Sequence, residues 1–174
     1  MKVQVNQKNH IWSVYFEEDG YTISGKKLMG RQAAGHAYLR AMMQSDMDCI
    51  NIYLRNPHEK DQAMAMVQDL LPPGKKMSAA IIPYERPDLS APVGGIFYPG
   101  PSLAEAADLR SFYGHDQYSL IGITHTTSSK NVMQQISNIV HQPVMPWDAL
   151  ICTSPVVCDT VNTLLDDRFA FLQH

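Results

Sequence analysis

The chain has 174 residues, of which 45% are hydrophobic and 18% are charged. This length fits one domain of ordinary size, and so apolar a composition excludes an intrinsically disordered chain. The formal charge of −3 provides no large positive field, so neither a nucleic acid nor an anionic membrane is expected as a partner.

Two features of the sequence bear on its cellular compartment. No window approaches the ~18 to 20 consecutive apolar residues that a membrane span needs, and residues 1–10 lack the apolar core of a signal peptide. Cys49, Cys152 and Cys158 form no CxxC pair, and two of them lie in apolar runs, which favours buried, reduced thiols. We therefore expect a cytoplasmic protein.

The first third of the chain predicts a hairpin followed by alternating helices and strands. Residues 11–23 are interpreted as the hairpin, because the apolar runs IWSVYF and YTIS flank the turn formers EEDG. Apolar residues then recur at helical spacing over residues 28–43, after a glycine-rich turn. Residues 49–54 predict a buried strand, and Pro57 suits the first turn of a helix that ends before Pro72.

The remainder of the chain continues the same alternation. Ser102, Ser129 and Ser154 precede helical segments as N-cap residues, and Glu105 stands in the capping-box position after Ser102. Further strands are predicted at residues 78–84, 94–100, 118–126 and 146–154. Continuous apolar strands separated by helices are typical of a parallel sheet that is covered on both faces. We predict a single Rossmann-like, doubly wound α/β domain over residues 1–174, preceded by a short N-terminal hairpin.

A glycine-rich segment is the first candidate for ligand binding. In open α/β sheets, ligands bind beyond the carboxyl ends of the strands, and SGKKLMGRQAAG at residues 24–35 follows such an end. Gly25 and Gly30 would let the backbone approach a ligand closely, and Lys26, Lys27 and Arg31 add cations suited to a phosphate or a carboxylate near a helix N-terminus. The segment matches neither GxGxxG nor GxxxxGK[ST], and a purely structural turn explains it equally well.

A histidine and a tyrosine follow two other predicted strands. His125 in LIGITHTTSS stands among hydroxyl residues that include Thr126, and a pKa near physiological pH suits it to hydrogen bonding or proton transfer. A solvent-facing or capping histidine is the alternative. Tyr98 in FYPGPS is placed to line a pocket, although an ordinary turn also explains it. No HExxH motif or Cys/His ladder occurs, so no metal site is expected.

Four motifs carry a family resemblance. In chain order they are SGKKLMGRQAAGHAYLRAM, GGIFYPGP, IGITHTTSS and PWDALICTSPVVCDTV. Together, over residues 21–165, they resemble the N-terminal domain of a bacterial GT-B glycosyltransferase of the family 4 type. The resemblance implies two Rossmann-like domains that face each other across a cleft, the N-terminal one binding the acceptor and the C-terminal one the nucleotide-sugar donor.

The resemblance also implies roles for individual residues. His125 would hydrogen-bond the sugar or the acceptor and help to stabilise the transition state, without acting as a covalent nucleophile. The cleft residues that would contact the substrate or the donor phosphates are Gly25, Gly30, Arg31, Gln32, Tyr98 and Thr126. No cofactor is expected in this domain, since the nucleotide-diphosphate sugar is the donor substrate of the full enzyme. The resemblance favours a retaining transfer.

The sequence departs from the full family pattern in one respect. These 174 residues contain no second α/β half and no E-x₇-E element, so we expect negligible transferase activity from this chain alone. The expected partners are a C-terminal donor-binding domain and a glycan or small hydroxyl acceptor. Peripheral membrane attachment and a weak homodimer remain open. The alternative is a stand-alone Rossmann-like module that binds a small anion or a partner protein without catalysis.

Replacing His125 with alanine tests the predicted catalytic role. In an enzyme that joins this chain to a donor-binding domain, turnover should fall at least about tenfold, roughly 1.4 kcal/mol of transition-state stabilisation, with the fold intact. Steady-state kinetics and circular dichroism measure the two quantities. An unchanged rate would remove His125 from the site.

Overall fold

The computed structural model describes residues 11–23, 30–124 and 127–174. Six strands and five α-helices occur in this part of the chain. The strands are β1 (Ile11–Phe16), β2 (Cys49–Leu54), β3 (Ser78–Pro83), β4 (Gly95–Phe97), β5 (Ser119–Thr124) and β6 (Ala149–Cys152). The helices are α1 (Gly30–Gln44), α2 (Lys60–Leu70), α3 (Leu103–Ser111), α4 (Lys130–Ser137) and α5 (Pro155–Leu172).

The strands form one parallel sheet in the order β3-β2-β1-β4-β5-β6. This order is that of the Rossmann fold, and it confirms the predicted doubly wound α/β architecture. The chain moves outward in one direction from β1 to β3 and in the other from β4 to β6. The direction therefore changes between β1 and β4, where the loops that follow these two strands diverge to opposite faces of the sheet.

Alternate residues of each strand supply the two hydrophobic cores. Val14 and Phe16 of β1 pack in the core that α1 and α2 cover, whereas Tyr15 belongs to the core under α3. Helix α4 packs beside α3, and α5 packs beside α4. In the described ranges, no helix is both long and apolar enough to cross a membrane.

Two glycines, which have no side chains, allow the backbone of α1 to contact the backbone of the segment after β1. A Cβ atom on Gly35 would lie 2.1 Å from the carbonyl oxygen of Gly20, and one on Gly20 would lie 2.6 Å from Cγ of Pro99. Both distances are far below van der Waals contact, and the first involves a backbone atom that has little freedom to move. The 3₁₀ turn at Glu18–Gly20, which follows β1, is therefore held close to helix α1 and to the turn that follows β4.

A buried ion pair fastens α3 to the segment before β6. Arg110 donates to both carboxylate oxygens of Asp148 at 2.6 and 2.7 Å, and neither side chain is exposed. Asp148 also accepts from the backbone N–H of Leu120 and Met145 at 2.7 and 2.8 Å. The aspartate of the WDALIC motif is therefore a structural residue, because its carboxylate is fully occupied in joining three segments.

The predicted N-terminal hairpin is wrong. Strand β1 is flanked on both sides by parallel neighbours, so neither of its edges is free for an antiparallel partner. The residues after it form a 3₁₀ turn at Glu18–Gly20, and Tyr21 then packs into the core instead of extending as a strand. The Tyr21 hydroxyl donates to the carbonyl of Tyr15 at 2.7 Å, and the Tyr21 ring stacks on Phe16.

Two of the three predicted serine caps are confirmed. Ser129 accepts from the N–H of Val132, and Ser154 from that of Val157, each at 3.2 Å. Ser102 occupies the N-cap position of α3 but makes no side-chain capping bond, so the predicted capping box is wrong. Its second member, Glu105, instead pairs with Arg55, which directly follows β2.

The predicted burial of the cysteines is only partly correct. The three thiols are free, Cys49 and Cys152 are partly buried, and Cys158 is exposed. Helix α5 turns Val157 and Val161 toward the protein, which leaves Cys158 on its outward side.

Replacing Gly35 with alanine should lower the free energy of unfolding by about 1–3 kcal/mol, because the added methyl group meets the Gly20 carbonyl. Urea denaturation followed by circular dichroism measures the loss. Gly100→Ala is the matched control, since the nearest atom to a Cβ there is 3.9 Å away. Equal stability of the two variants would contradict the close approach of α1.

Candidate ligand-binding cleft

A cavity of about 340 Å³ opens at the carboxyl edge of the sheet, where the strand order changes direction. This is the position at which open α/β sheets bind ligands. The walls come from the ends of four adjacent strands and from the first turns of α1, α3 and α4. The lining residues are Tyr15, Glu17, Arg31, Arg55, Tyr84, Tyr98, Gly100, Pro101, Ser102, Glu105, Ala106, Asn131, Val132 and Gln135.

Four tyrosines form a continuous row beneath the cleft, which we call the tyrosine ladder. In spatial order they are Tyr84, Tyr53, Tyr15 and Tyr98, at or just past the ends of β3, β2, β1 and β4. Successive ring centroids are 5.5, 5.8 and 5.0 Å apart. The row arises because Tyr15 and Tyr53 are register partners in neighbouring strands, which places their side chains side by side on one face.

Burial keeps the ladder hydroxyls protonated. It raises the pKa of Tyr15 to about 12, with a further contribution from the Glu17 carboxylate. Burial also raises the pKa of Tyr98 well above its ordinary value, and burial together with Glu105 raises the pKa of Tyr84. At neutral pH these side chains therefore offer hydroxyl groups and apolar rings, and they cannot serve as general bases.

Arg31, in the first turn of α1, is held by acceptors from two loops. Its guanidinium forms ion pairs with Glu17 and, at 3.1 Å, with Asp19, and its Nε donates to the Pro99 carbonyl at 3.2 Å. Gln32 beside it donates to Asp19 at 3.3 Å. The positive charge of Arg31 is therefore balanced by two carboxylates, and the side chain ties the residues directly after β1 to the turn after β4.

Arg55, directly after β2, is held more loosely. Its Nη1 lies 3.3 Å from Oε1 of Glu105, and both side chains are about three-fifths exposed. The Tyr84 hydroxyl donates to the same oxygen at 3.4 Å, and the guanidinium carbon of Arg55 lies 5.3 Å from the centre of the Tyr84 ring. Burial raises the pKa of the Tyr15 hydroxyl, and the nearby positive charge of Arg55 partly offsets this rise. Arg55, Glu105 and Tyr84 thus form a polar group at the cleft rim.

The structure brings together only some of the residues predicted from sequence. Arg31 and Tyr98 line the cleft, whereas Gly30 and Gln32 lie in the first turn of α1 without lining it. Gly25, His125 and Thr126 lie outside the described residues. Within the described ranges, no group of three histidine, cysteine or acidic side chains is arranged to hold a metal ion.

Sequence reasoning missed the ladder and the rim. It overlooked five cleft residues that carry rings or charges, namely Tyr15, Glu17, Arg55, Tyr84 and Glu105. A signal was present, because the strand ends read VYF, IYL, IPY and FYP, each with a tyrosine at nearly the same position. Adjacent parallel strands bring such residues together at one edge of a sheet.

The strand order defines a Rossmann-like α/β domain, and a cleft lies where this order changes direction. No protein-family model matches the chain, and neither a curated protein nor a solved structure does. The case for a function therefore depends on the cleft and on the motifs of the sequence.

Raising the pH should lower the free energy of unfolding, because the buried Tyr15 of the ladder ionises more readily in the unfolded chain. Tyr15 ionises near its ordinary pKa of about 10 when unfolded and near about 12 when folded, so stability is lost as pH rises between these values. Between pH 10 and 11 this one group contributes a loss of about 1 kcal/mol. Urea denaturation at each pH should show a correspondingly smaller loss for Tyr15→Phe.

Tyr113→Phe controls for the loss of one phenolic hydroxyl, since Tyr113 is exposed and lies outside the cleft. A pH dependence as steep in Tyr15→Phe as in the unmodified protein would contradict the role assigned to the buried hydroxyl.

Proposed function

We propose that this chain is the acceptor-side domain of a GT-B-type glycosyltransferase. Its cleft would bind the hydroxyl-bearing acceptor to which a sugar is transferred from a nucleotide-diphosphate sugar. The single observation that carries the proposal is the cleft at the switch point, with aromatic rings as its floor and paired charged groups at its rim. The four sequence motifs that resemble this family support the same function.

The surface chemistry of the cleft suits a carbohydrate. A sugar ring has an apolar C–H face, which packs against aromatic rings, and an edge of hydroxyls that both donate and accept hydrogen bonds. Three ladder tyrosines, Tyr15, Tyr84 and Tyr98, line the cavity with their rings and neutral hydroxyls. Arg55 and Glu105 offer a donor and an acceptor 3.3 Å apart. The volume of about 340 Å³ falls within the range of small-molecule sites.

In this proposal the described residues position the acceptor. Packing fixes the ladder, and the ion pairs of Arg31 fix Glu17 and Asp19, so the acceptor meets a preorganised surface. The donor would be bound by a second domain, and its leaving phosphate would help to deprotonate the acceptor hydroxyl, as the resemblance implies. His125 keeps its predicted role in stabilising the transition state.

The charge distribution bears on the alternative, a module that binds a small anion without catalysis. Lys26, Lys27 and Arg31 are the cations predicted to hold such an anion; the two lysines lie outside the described residues, and two carboxylates balance the charge of Arg31. An anion that binds Arg31 would have to compete with the carboxylates of Glu17 and Asp19, which already form ion pairs with its guanidinium. This pairing favours a polyhydroxylated ligand over an isolated phosphate at Arg31.

Ligand-observed NMR on the 174-residue chain tests the proposal. Candidate acceptor saccharides should bind, and Tyr84→Ala should weaken their binding at least about fivefold, because it removes a ring from the cleft wall. Tyr113→Ala is the matched control outside the cleft and should leave binding unchanged.

Nucleotide diphosphates and nucleotide sugars complete the same panel. Weak or absent signals from them agree with an acceptor-side domain. Tight binding of nucleotides by this chain alone would contradict the proposal and favour a self-sufficient nucleotide-binding module.

A further inference from the structure

The two arginines of the cleft differ in how many of their N–H groups already bind acceptors of the protein. Arg31 is engaged by two carboxylates and a backbone carbonyl, with its Nε, Nη1 and Nη2 each donating to a separate acceptor. Arg55 has a single ion pair among the contacts described, a 3.3 Å approach to Glu105. Arg31 therefore has a structural role, whereas Arg55 keeps N–H groups that can donate hydrogen bonds to a ligand.

The ion pair between Arg55 and Glu105 is readily exchanged. Both side chains are more than 60% exposed, and an exposed pair of this kind contributes only about 0–1 kcal/mol. Glu105 also accepts from the Tyr84 hydroxyl at 3.4 Å, so it keeps a partner when Arg55 turns away. A ligand anion that meets the guanidinium with two parallel hydrogen bonds would replace a single long contact with a stronger one.

Arg55 lies where a ligand that packs on the tyrosine ladder could reach it. Its guanidinium lies over the Tyr84 ring at 5.3 Å, a cation–π distance that holds the group at the end of the row of rings. Arg55, Tyr84 and Glu105 all line the same cavity as Tyr15 and Tyr98. A sugar ring on the ladder would therefore carry its substituents within reach of this arginine.

We propose that the acceptor is an anionic saccharide, one that carries a carboxylate or a phosphate, and that Arg55 binds this group while Glu105 withdraws from the ion pair. This inference rests on the proposed function and specifies its substrate class. Glu105 then acts as a competitor that occupies Arg55 in the absence of ligand. The acceptor hydroxyl stays over the rings, and the anionic group fixes its orientation.

A neutral sugar would use the same residues differently. Arg55 and Glu105 would then act as one unit, the arginine donating to one hydroxyl and the glutamate accepting from its neighbour. In that arrangement Glu105 helps binding, whereas in the proposed one it competes with the ligand. Glu105→Gln therefore distinguishes an anionic from a neutral sugar, because it removes the competing charge and keeps a side chain of the same shape.

Isothermal titration of the 174-residue chain with glucose, glucuronate, glucose 6-phosphate and inorganic phosphate tests the inference. At least one of the two charged sugars should bind about tenfold more tightly than glucose, and Arg55→Gln should abolish this difference. Glu105→Gln should strengthen binding of the charged sugar about two- to fivefold. Glucuronate and glucose 6-phosphate distinguish a carboxylate from a phosphate as the recognised group.

Arg86→Gln is the matched control. Arg86 is an exposed arginine that pairs with Asp88 outside the cleft, and its substitution should change no affinity. Circular dichroism confirms that each variant is folded.

Three results would overturn the inference and leave the proposed function standing. They are equal binding of glucose and the charged sugars, unchanged preference in Arg55→Gln, or weaker binding of the charged sugar in Glu105→Gln. Inorganic phosphate binding as tightly as glucose 6-phosphate would also overturn it, since the site would then bind an anion without its sugar. Failure of every sugar to bind would overturn both proposals.

Discussion

The close approach of helix α1 to the loop after β1 determines the shape of the cleft. Gly35 has no side chain, so the Gly20 carbonyl lies close to where a Cβ would be, and Pro99 packs against both glycines. These contacts bring the residues directly after β1 and the turn after β4 together at the point where the strand order changes direction. Arg31 then joins the same two segments through Glu17, Asp19 and the Pro99 carbonyl. Gly20, Gly35 and Pro99 thus shape the cleft without lining it, whereas Arg31 and Glu17 do both.

The architecture could be predicted from sequence because the strands and helices have strong local patterns. The predicted strand CINIYL has the same bounds as β2 in the structure, and Ser129 and Ser154 cap the helices that follow them. The hairpin could not be excluded, since YTIS has the composition of a strand and only the presence of β4 beside β1 rules out a second antiparallel partner. Glu105 similarly fits a local capping box, and its pairing with Arg55, fifty positions away in sequence, is a product of the tertiary fold.

The candidate site was less predictable, for a related physical reason. Sequence motifs identify a glycine-rich turn and place Arg31 near a ligand, but they do not show that Glu17 and Asp19 balance its charge. The tyrosine ladder depends on which strands are neighbours, because four tyrosines distant in sequence form a row only in the order β3-β2-β1-β4. The resulting cleft combines neutral hydroxyls, aromatic rings and one loosely held ion pair.

The central claim is that ligands bind at the carboxyl edge of the sheet. Amide chemical-shift mapping on the ¹⁵N-labelled chain, titrated with glucuronate, tests it most directly. The account predicts shifts for the amides that border the cleft, among them those of Glu17, Arg55 and Glu105. Shifts confined to the opposite edge, at Gly94 and Gln117, would contradict it.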